Sequence, residues 1–295
     1  MGSGLCKSDQ NSAPGNRRFK GVRRATSGEE YRERYAIPEG KYTVKLRGEK
    51  HCIINSATYL PTGDVVMSDM INRKLKLFNC NFQLISELEF QTAVQYISAS
   101  PNLPLIYAAF PDRIRQVHVD GGELKRSGFI KTPGTCRAIC VNKFDGKAIS
   151  MSLDEDTGQV NLLTPGGNLQ MELIEDPQGE QLFIRPESIV VTRDLNLVVA
   201  DKGTQSVLGL QPDGEVLFEY TGIRYPTAIV CDERNYIYVA GPNNIHQLTE
   251  NGDLIKLFVT KAEIGFSPLS LSYNEEKKHL LVTGKGPKVT LFKLT

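Results

Sequence analysis

Tryptophan is absent from the 295 residues, which excludes repeats whose signature is a Trp-Asp dipeptide. No Asn-x-Ser/Thr sequon occurs, and no apolar run is long enough to span a bilayer or to serve as the core of a secretory leader. The six cysteines (Cys6, Cys52, Cys80, Cys136, Cys140, Cys231) show no C-x2-C pair, so neither a zinc module nor a disulfide framework is written in their spacing. Cys136 and Cys140 fall on one face of a strand, roughly 13 Å apart and too far to bridge. These absences point to a reducing, cytoplasmic setting. Charge of either sign is not in excess: 35 Lys and Arg face 34 Asp and Glu. Residues 1–40 hold 8 basic against 5 acidic groups, leaving 27 against 29 in the remainder. The chain therefore divides into a basic tail and a weakly acidic body, with no global pull toward nucleic acid or membrane.

What is present is a repeat. Within Leu60–Phe90 a Gly63-Asp64 turn leads into the apolar run Val65-Val66-Met67. The chain then breaks at Asp69–Asn72, alternates through Leu75 and Leu77, turns at Asn79–Asn81 and resumes with Leu84, Leu88 and Phe90. Period-two alternation between turn residues predicts an antiparallel meander. Equivalents of Asp69 stand at Phe110, Ser152, Asp201, Gly241 and Gly284, spaced 41, 42, 49, 40 and 43 residues. Hairpin signals recur in register at Asp120-Gly121-Gly122, Pro165-Gly166-Gly167, Pro212-Asp213-Gly214 and Asn251-Gly252. Six four-stranded units with a period near 40 predict an all-β, six-bladed β-propeller over residues 41–295, preceded by a disordered basic tail or linker, 1–40.

The unit Gly63–Phe78, with Asp69 and with Asn72 three residues on, resembles an NHL repeat, best known from the C-terminal propeller of TRIM-NHL (tripartite-motif) proteins. Pro186–Tyr220 keeps the Asp (Asp201), whereas Pro226–Phe258 has Gly241 in its place. The resemblance implies the recognition half of a TRIM-like ubiquitin-ligase-family protein, without ligase chemistry of its own. It also implies binding of a protein partner through the loop-rich face.

The last unit ends at its third strand, Lys288–Leu294. The alternating segment KYTVKLRG, residues 41–48, is expected to supply the fourth and close the ring. The first strand of each unit is expected to line the central channel, where propeller lactonases and hydrolases hold a metal on Glu, Asn and Asp. Glu187 is the only carboxylate on these strands and none of His51, His118, His246 and His279 lies there. No metal, cofactor or catalytic set is therefore expected, and a lactonase or hydrolase ranks below the binding readings. Partner-binding candidates on the loop-rich face are Arg73, Phe110, Arg113, Arg137, Arg185, Lys202, Arg224 and Tyr225. Their cation-aromatic mixture makes single-stranded RNA the alternative ligand, against the interspersed acids Asp69, Asp112, Glu187 and Asp201. Two acidic insertions, 153–158 and 175–180, are expected to project from that face. The propeller itself is expected to be monomeric. Gly2 and Cys6, followed by Arg17, Arg18, Lys20, Arg23 and Arg24, form an acylation-plus-polybasic pattern that would bring a membrane contact if Gly2 or Cys6 is acylated.

Overall fold

The computed structural model describes residues 33–132, 134–142, 148–153 (backbone) and 158–295. The Gly2/Cys6 pattern, the basic cluster of the tail and Asp154–Thr157 of the first insertion lie outside them. The fold is all-β: six antiparallel four-stranded sheets, each a meander in sequence order except the last, whose order requires the N-terminal strand. The first strands of the blades are Ile54–Tyr59, Tyr96–Ala99, Thr135–Val141, Pro186–Val191, Ala228–Cys231 and Pro268–Asn274. Each meets the first strands of its neighbours, and the sixth meets the first, so they form a closed ring around a channel. The chain is a six-bladed β-propeller. Among the described residues no helix is long and apolar enough to cross a membrane. A four-residue helix, Lys261–Ile264, capped at Thr260, links the fifth and sixth blades.

Burial follows blade position. Second strands such as Val65–Asp69 and Leu197–Asp201 are buried throughout, while the outer strand Leu84–Glu89 is mostly exposed. The reason is that blades stack face to face, so both faces of an interior strand are covered. The apolar core is accordingly divided into six clusters, one per interface. Leu75, Leu77, Ile106 and Val117, for example, pack between the first two blades. Hairpin glycines do what their turns require: Gly252 has φ +82, and a Cβ there would lie 2.2 Å from the Phe218 ring.

The ring closes through an N-terminal strand on Lys288–Leu294 as expected, but with shifted bounds. Ala36–Thr43 runs antiparallel to Lys288–Leu294, from Ala36 opposite Leu294 to Thr43 opposite Lys288. Val44 still donates its N–H to the Pro287 carbonyl at 2.8 Å, and Leu46 already belongs to a turn that Glu49 closes. The strand thus begins before the expected boundary at 41. Pro38 and Gly40, poor residues for an interior strand, are accommodated because this strand has an open outer edge and a register shift between those two residues.

Asp69 and Asp201 act as internal knots. Asp201 accepts from the N–H groups of Ile184, Arg185 and Gly203 at 2.6, 2.8 and 2.7 Å, binding the entry of its blade to the turn after the second strand. Asp69 accepts from the side-chain amide of Asn72 at 2.7 Å, which accounts for the Asn three residues on.

Candidate functional site at the channel rim

Four of the six channel strands carry a register irregularity near their N-terminal end, skipping one residue each: Asn55, Arg137, Glu187 and Leu269. An unpaired residue of this kind is rotated out of the ladder, and such bulges commonly re-aim a side chain at a functional site. Here they set a rim of re-aimed side chains around one mouth of the channel.

Two of the polar rim residues are consumed by structure. The Asn55 amide donates to the carbonyls of Val94 and Gln95 at 2.9 and 2.7 Å, and its oxygen accepts from Ser68. Thr227, at the equivalent place in the fifth blade, donates toward Ala240 and Pro268 carbonyls. Glu187 and Arg137 remain. Glu187 accepts from Arg185 Nε at 2.9 Å, and Lys202 Nζ lies 3.9 Å from the same oxygen. Arg137 is half-buried, and its Nε is fully buried with no hydrogen-bond partner among the described residues.

Below the rim, serines stitch blade to blade. Ser56, Ser98 and Ser188 accept from the N–H groups of Ile97, Val141 and Ile229 at 3.1, 3.1 and 3.2 Å. Ser270 accepts from Ala57 at 3.4 Å across the closure. Tyr96 crosses the channel from the second blade, its hydroxyl 3.2 Å from Ser188 in the fourth. Burial raises its pKa, opposed by hydrogen bonds to Ser188 and Ser270, so the phenol is neutral. Beyond Tyr96 a cavity of about 330 Å³ opens at the opposite mouth, lined among others by Ser98, Cys140, Val190, Cys231 and Ser272.

The predicted partner-binding residues make separate local contacts, and one of them is buried. Arg185 and Lys202 converge on Glu187, and Arg137 shares their rim. Phe110 is 3 % exposed and packs on Phe90 in the first interblade core. The sequence predicts a face aromatic there, but its place at the end of a second strand buries it. Arg73 adopts φ +54 and reaches the Gln91 carbonyl. Arg113 is paired with its neighbour Asp112. Tyr225 is half-exposed at φ +49, beside Arg224, in the lead-in to the fifth blade. Tyr96 and the serine ring were missed; the recurrence of Ser on the channel strands was the available signal.

The metal of propeller lactonases does not fit these residues. The Asn55 amide is saturated, and the one channel carboxylate already faces two cations. Among the described residues, the only clustered His/Cys/Asp/Glu set with metal-like spacing is Glu49, Cys52 and Asp69. Lys76 sits within it, its ammonium 2.7 Å from each carboxylate and 3.8 Å from the sulfur. Burial pushes the Cys52 thiol up to about 12, which disfavours the thiolate a metal needs.

No protein-family model matches the chain, and no curated protein matches it in sequence. Its fold is widely shared, with 1335 chains of solved structures matching, so fold alone discriminates little between activities. One of them is described as a putative gluconolactonase. The two chains are 16% identical with a TM-score of 0.67, and the match covers 88% of this chain and 94% of the other. This finding corrects the expectation of a non-catalytic module that recognises a protein partner, since the similar propeller is described as an enzyme.

Proposed function

We propose that the channel rim acts on a small molecule and that its reaction is the hydrolytic opening of a cyclic ester. The observation that carries this reading is the buried, unpartnered Nε of Arg137, at the same bulged register position as Glu187 in the next blade. A rim guanidinium and a carboxylate at the same register position one blade on are the two kinds of group that ester hydrolysis uses. Glu187 takes a proton from water as the water oxygen bonds to the ester carbonyl carbon. Arg137 donates to the carbonyl oxygen as negative charge develops there. The ring C–O bond then breaks, and the proton passes from Glu187 to the departing alkoxide, leaving a hydroxy acid. Arg185 positions the Glu187 carboxylate. The likeness to a gluconolactonase-type propeller supports the substrate class by fold analogy. The Asp69 and Asp201 knots support an NHL-like origin of the blades.

Lactone opening followed by pH-stat, with δ-gluconolactone and δ-valerolactone, tests the reading. Glu187→Gln should lower kcat by about 10²–10⁴, and Arg137→Met by about 10²–10³, both without unfolding the domain. A wild-type rate no faster than buffer on either lactone, or an undiminished Glu187→Gln variant, refutes it.

A further inference from the structure

The second blade carries a separate cationic pocket. Arg113 and Arg115 alternate on its third strand, and Arg126 stands opposite Val117 on the fourth. Val117 belongs to the core between the first and second blades, so these three arginines share the side facing the first blade. They line a cavity of about 420 Å³ with Phe90, Phe110 and Gln91. Among the described residues its only carboxylate is Asp112, leaving a net charge of two positive units from three guanidiniums and one carboxylate.

Two of the arginines are held in place. Arg126 lies 5.1 Å above the centre of the Phe90 ring and donates to the Glu89 carbonyl. Arg113 is bonded through Nε to Asp112 at 2.9 Å and lies 5.4 Å from the centre of the Phe129 ring. Arg115, between them and partly buried, makes no ion pair or hydrogen bond among the described residues; its electrostatic partner there is Asp112, already shared with Arg113. Three like charges held together in a concave site repel one another unless an anion joins them. Guanidinium forks match the oxygens of phosphate, and several forks converging on one point match a doubly charged, tetrahedral group better than a single-charge diester.

We infer that this pocket is a phosphomonoester site, with Arg115 as the residue awaiting the ligand and Arg113 and Arg126 as its flanking clamps. It is distinct from the channel rim and does not depend on the reaction proposed there.

Isothermal titration of the full chain with O-phosphoserine, a phosphoserine heptapeptide, dimethyl phosphate and succinate tests the assignment. Phosphoserine should bind, and Arg115→Gln or Arg126→Gln should weaken it about tenfold or more, the loss expected for one charge-assisted contact. Arg224→Gln, outside the pocket, should leave affinity unchanged. Tighter binding of the peptide identifies a phosphorylated chain as the source, and equal binding a small phosphomonoester; either supports the site. The assignment is overturned by no binding of phosphoserine, by equal affinity for dimethyl phosphate or succinate, or by binding that survives Arg115→Gln and Arg126→Gln with melting temperatures unchanged. If either variant unfolds, Arg113→Gln carries the same test.

Discussion

Nε of Arg34 lies 3.0 Å from Oδ2 of Asp232, joining the segment that enters the closing strand to the fifth blade. Arg34 is 2 % exposed and also pairs with Glu233, which in turn binds Tyr273 at 2.6 Å and Lys278 at 2.8 Å. The network ties the N-terminal segment to both the fifth and sixth blades. Removing Arg34 leaves Glu233 with Lys278 but strips the fully buried Asp232 of its cation. Arg34→Ala should therefore cost about 3–5 kcal/mol in urea unfolding. A cost below 1 kcal/mol would show that the closing strand holds without this anchor.

Acid should act on the same network. Burial pushes the Glu233 carboxyl up, but Lys278, Tyr273 and Arg34 outweigh it and hold it at about 2. Because its folded pKa lies below its unfolded one, the stability it contributes is complete above about pH 4.5 and is lost as pH falls toward 2. Asp232 opposes this: burial raises its pKa despite Arg34, so its protonation offsets part of the loss. Melting temperatures between pH 5 and 2 should fall less steeply in Glu233→Gln than in the wild type. Parallel curves would assign the acid sensitivity to other carboxylates.

The closing strand can be tested by truncation. Deleting residues 1–43 removes the whole Ala36–Thr43 ladder, Arg34, and the stack of Tyr42 on Phe82 at 4.1 Å. Against a typical total of about 5–15 kcal/mol, the loss should leave the propeller unfolded or aggregating through the bared Lys288–Leu294 edge. Tyr42→Ala alone should be far milder. If the truncated chain melts within a few degrees of the full one, ring closure does not depend on this strand.

The repeat, the blade count and the need for a closing strand could be read from spacing alone, because hairpin glycines and apolar runs recur with the period of the blade. Register at the closure could not. Residues 41–48 alternate cleanly, whereas Ala36–Thr43 contains Pro38 and Gly40, and an outer strand with a bulge tolerates what an interior strand rejects. Alternation also misled within blades: Lys76 occupies the polar phase of its strand, yet it is fully buried because the segment from Val44 to Cys52, which follows the closing strand, covers that face. Of the rim, Glu187 was identified as the sole channel carboxylate. The significance of Arg137 depends on an unpaired buried atom, which sequence does not encode visibly.

The buried lysine yields a sign reversal. Burial pushes Asp69 up, but hydrogen bonds from Lys76 and Asn72 prevail and hold its pKa below the usual carboxylate range. Its contribution is present above the unfolded pKa and lost as acid protonates it. Lys76→Met leaves Asp69 and Glu49 facing each other with no cation, and should cost about 3–5 kcal/mol at neutral pH. In that variant burial dominates, the Asp69 pKa rises, and acidification should relieve part of the damage instead of adding to it. Lys76→Met/Asp69→Asn should recover much of the stability. A double-mutant cycle in urea, repeated at pH 7 and pH 5, checks both claims; additive losses would show that the pair is not coupled.

Tyr96 separates two roles that a channel side chain can have, filling space and tying blades together. Its hydroxyl meets Ser188, but Ser188 still accepts from Ile229 when the phenol is removed. Tyr96→Phe should then cost only the net value of the hydroxyl's hydrogen bonds to Ser188 and Ser270, about 0.5–1.5 kcal/mol for each. The ring packs against the apolar clusters of the second-to-third and third-to-fourth interfaces, so Tyr96→Ala removes shared packing and enlarges the cavity behind it. That substitution should cost clearly more, toward the about 3–5 kcal/mol of a fully buried aromatic, since Tyr96 is partly buried. Equilibrium urea unfolding of the two variants measures the difference directly. If Tyr96→Ala costs no more than Tyr96→Phe, the ring contributes nothing as filler, and its place in the channel is kept for the hydroxyl alone.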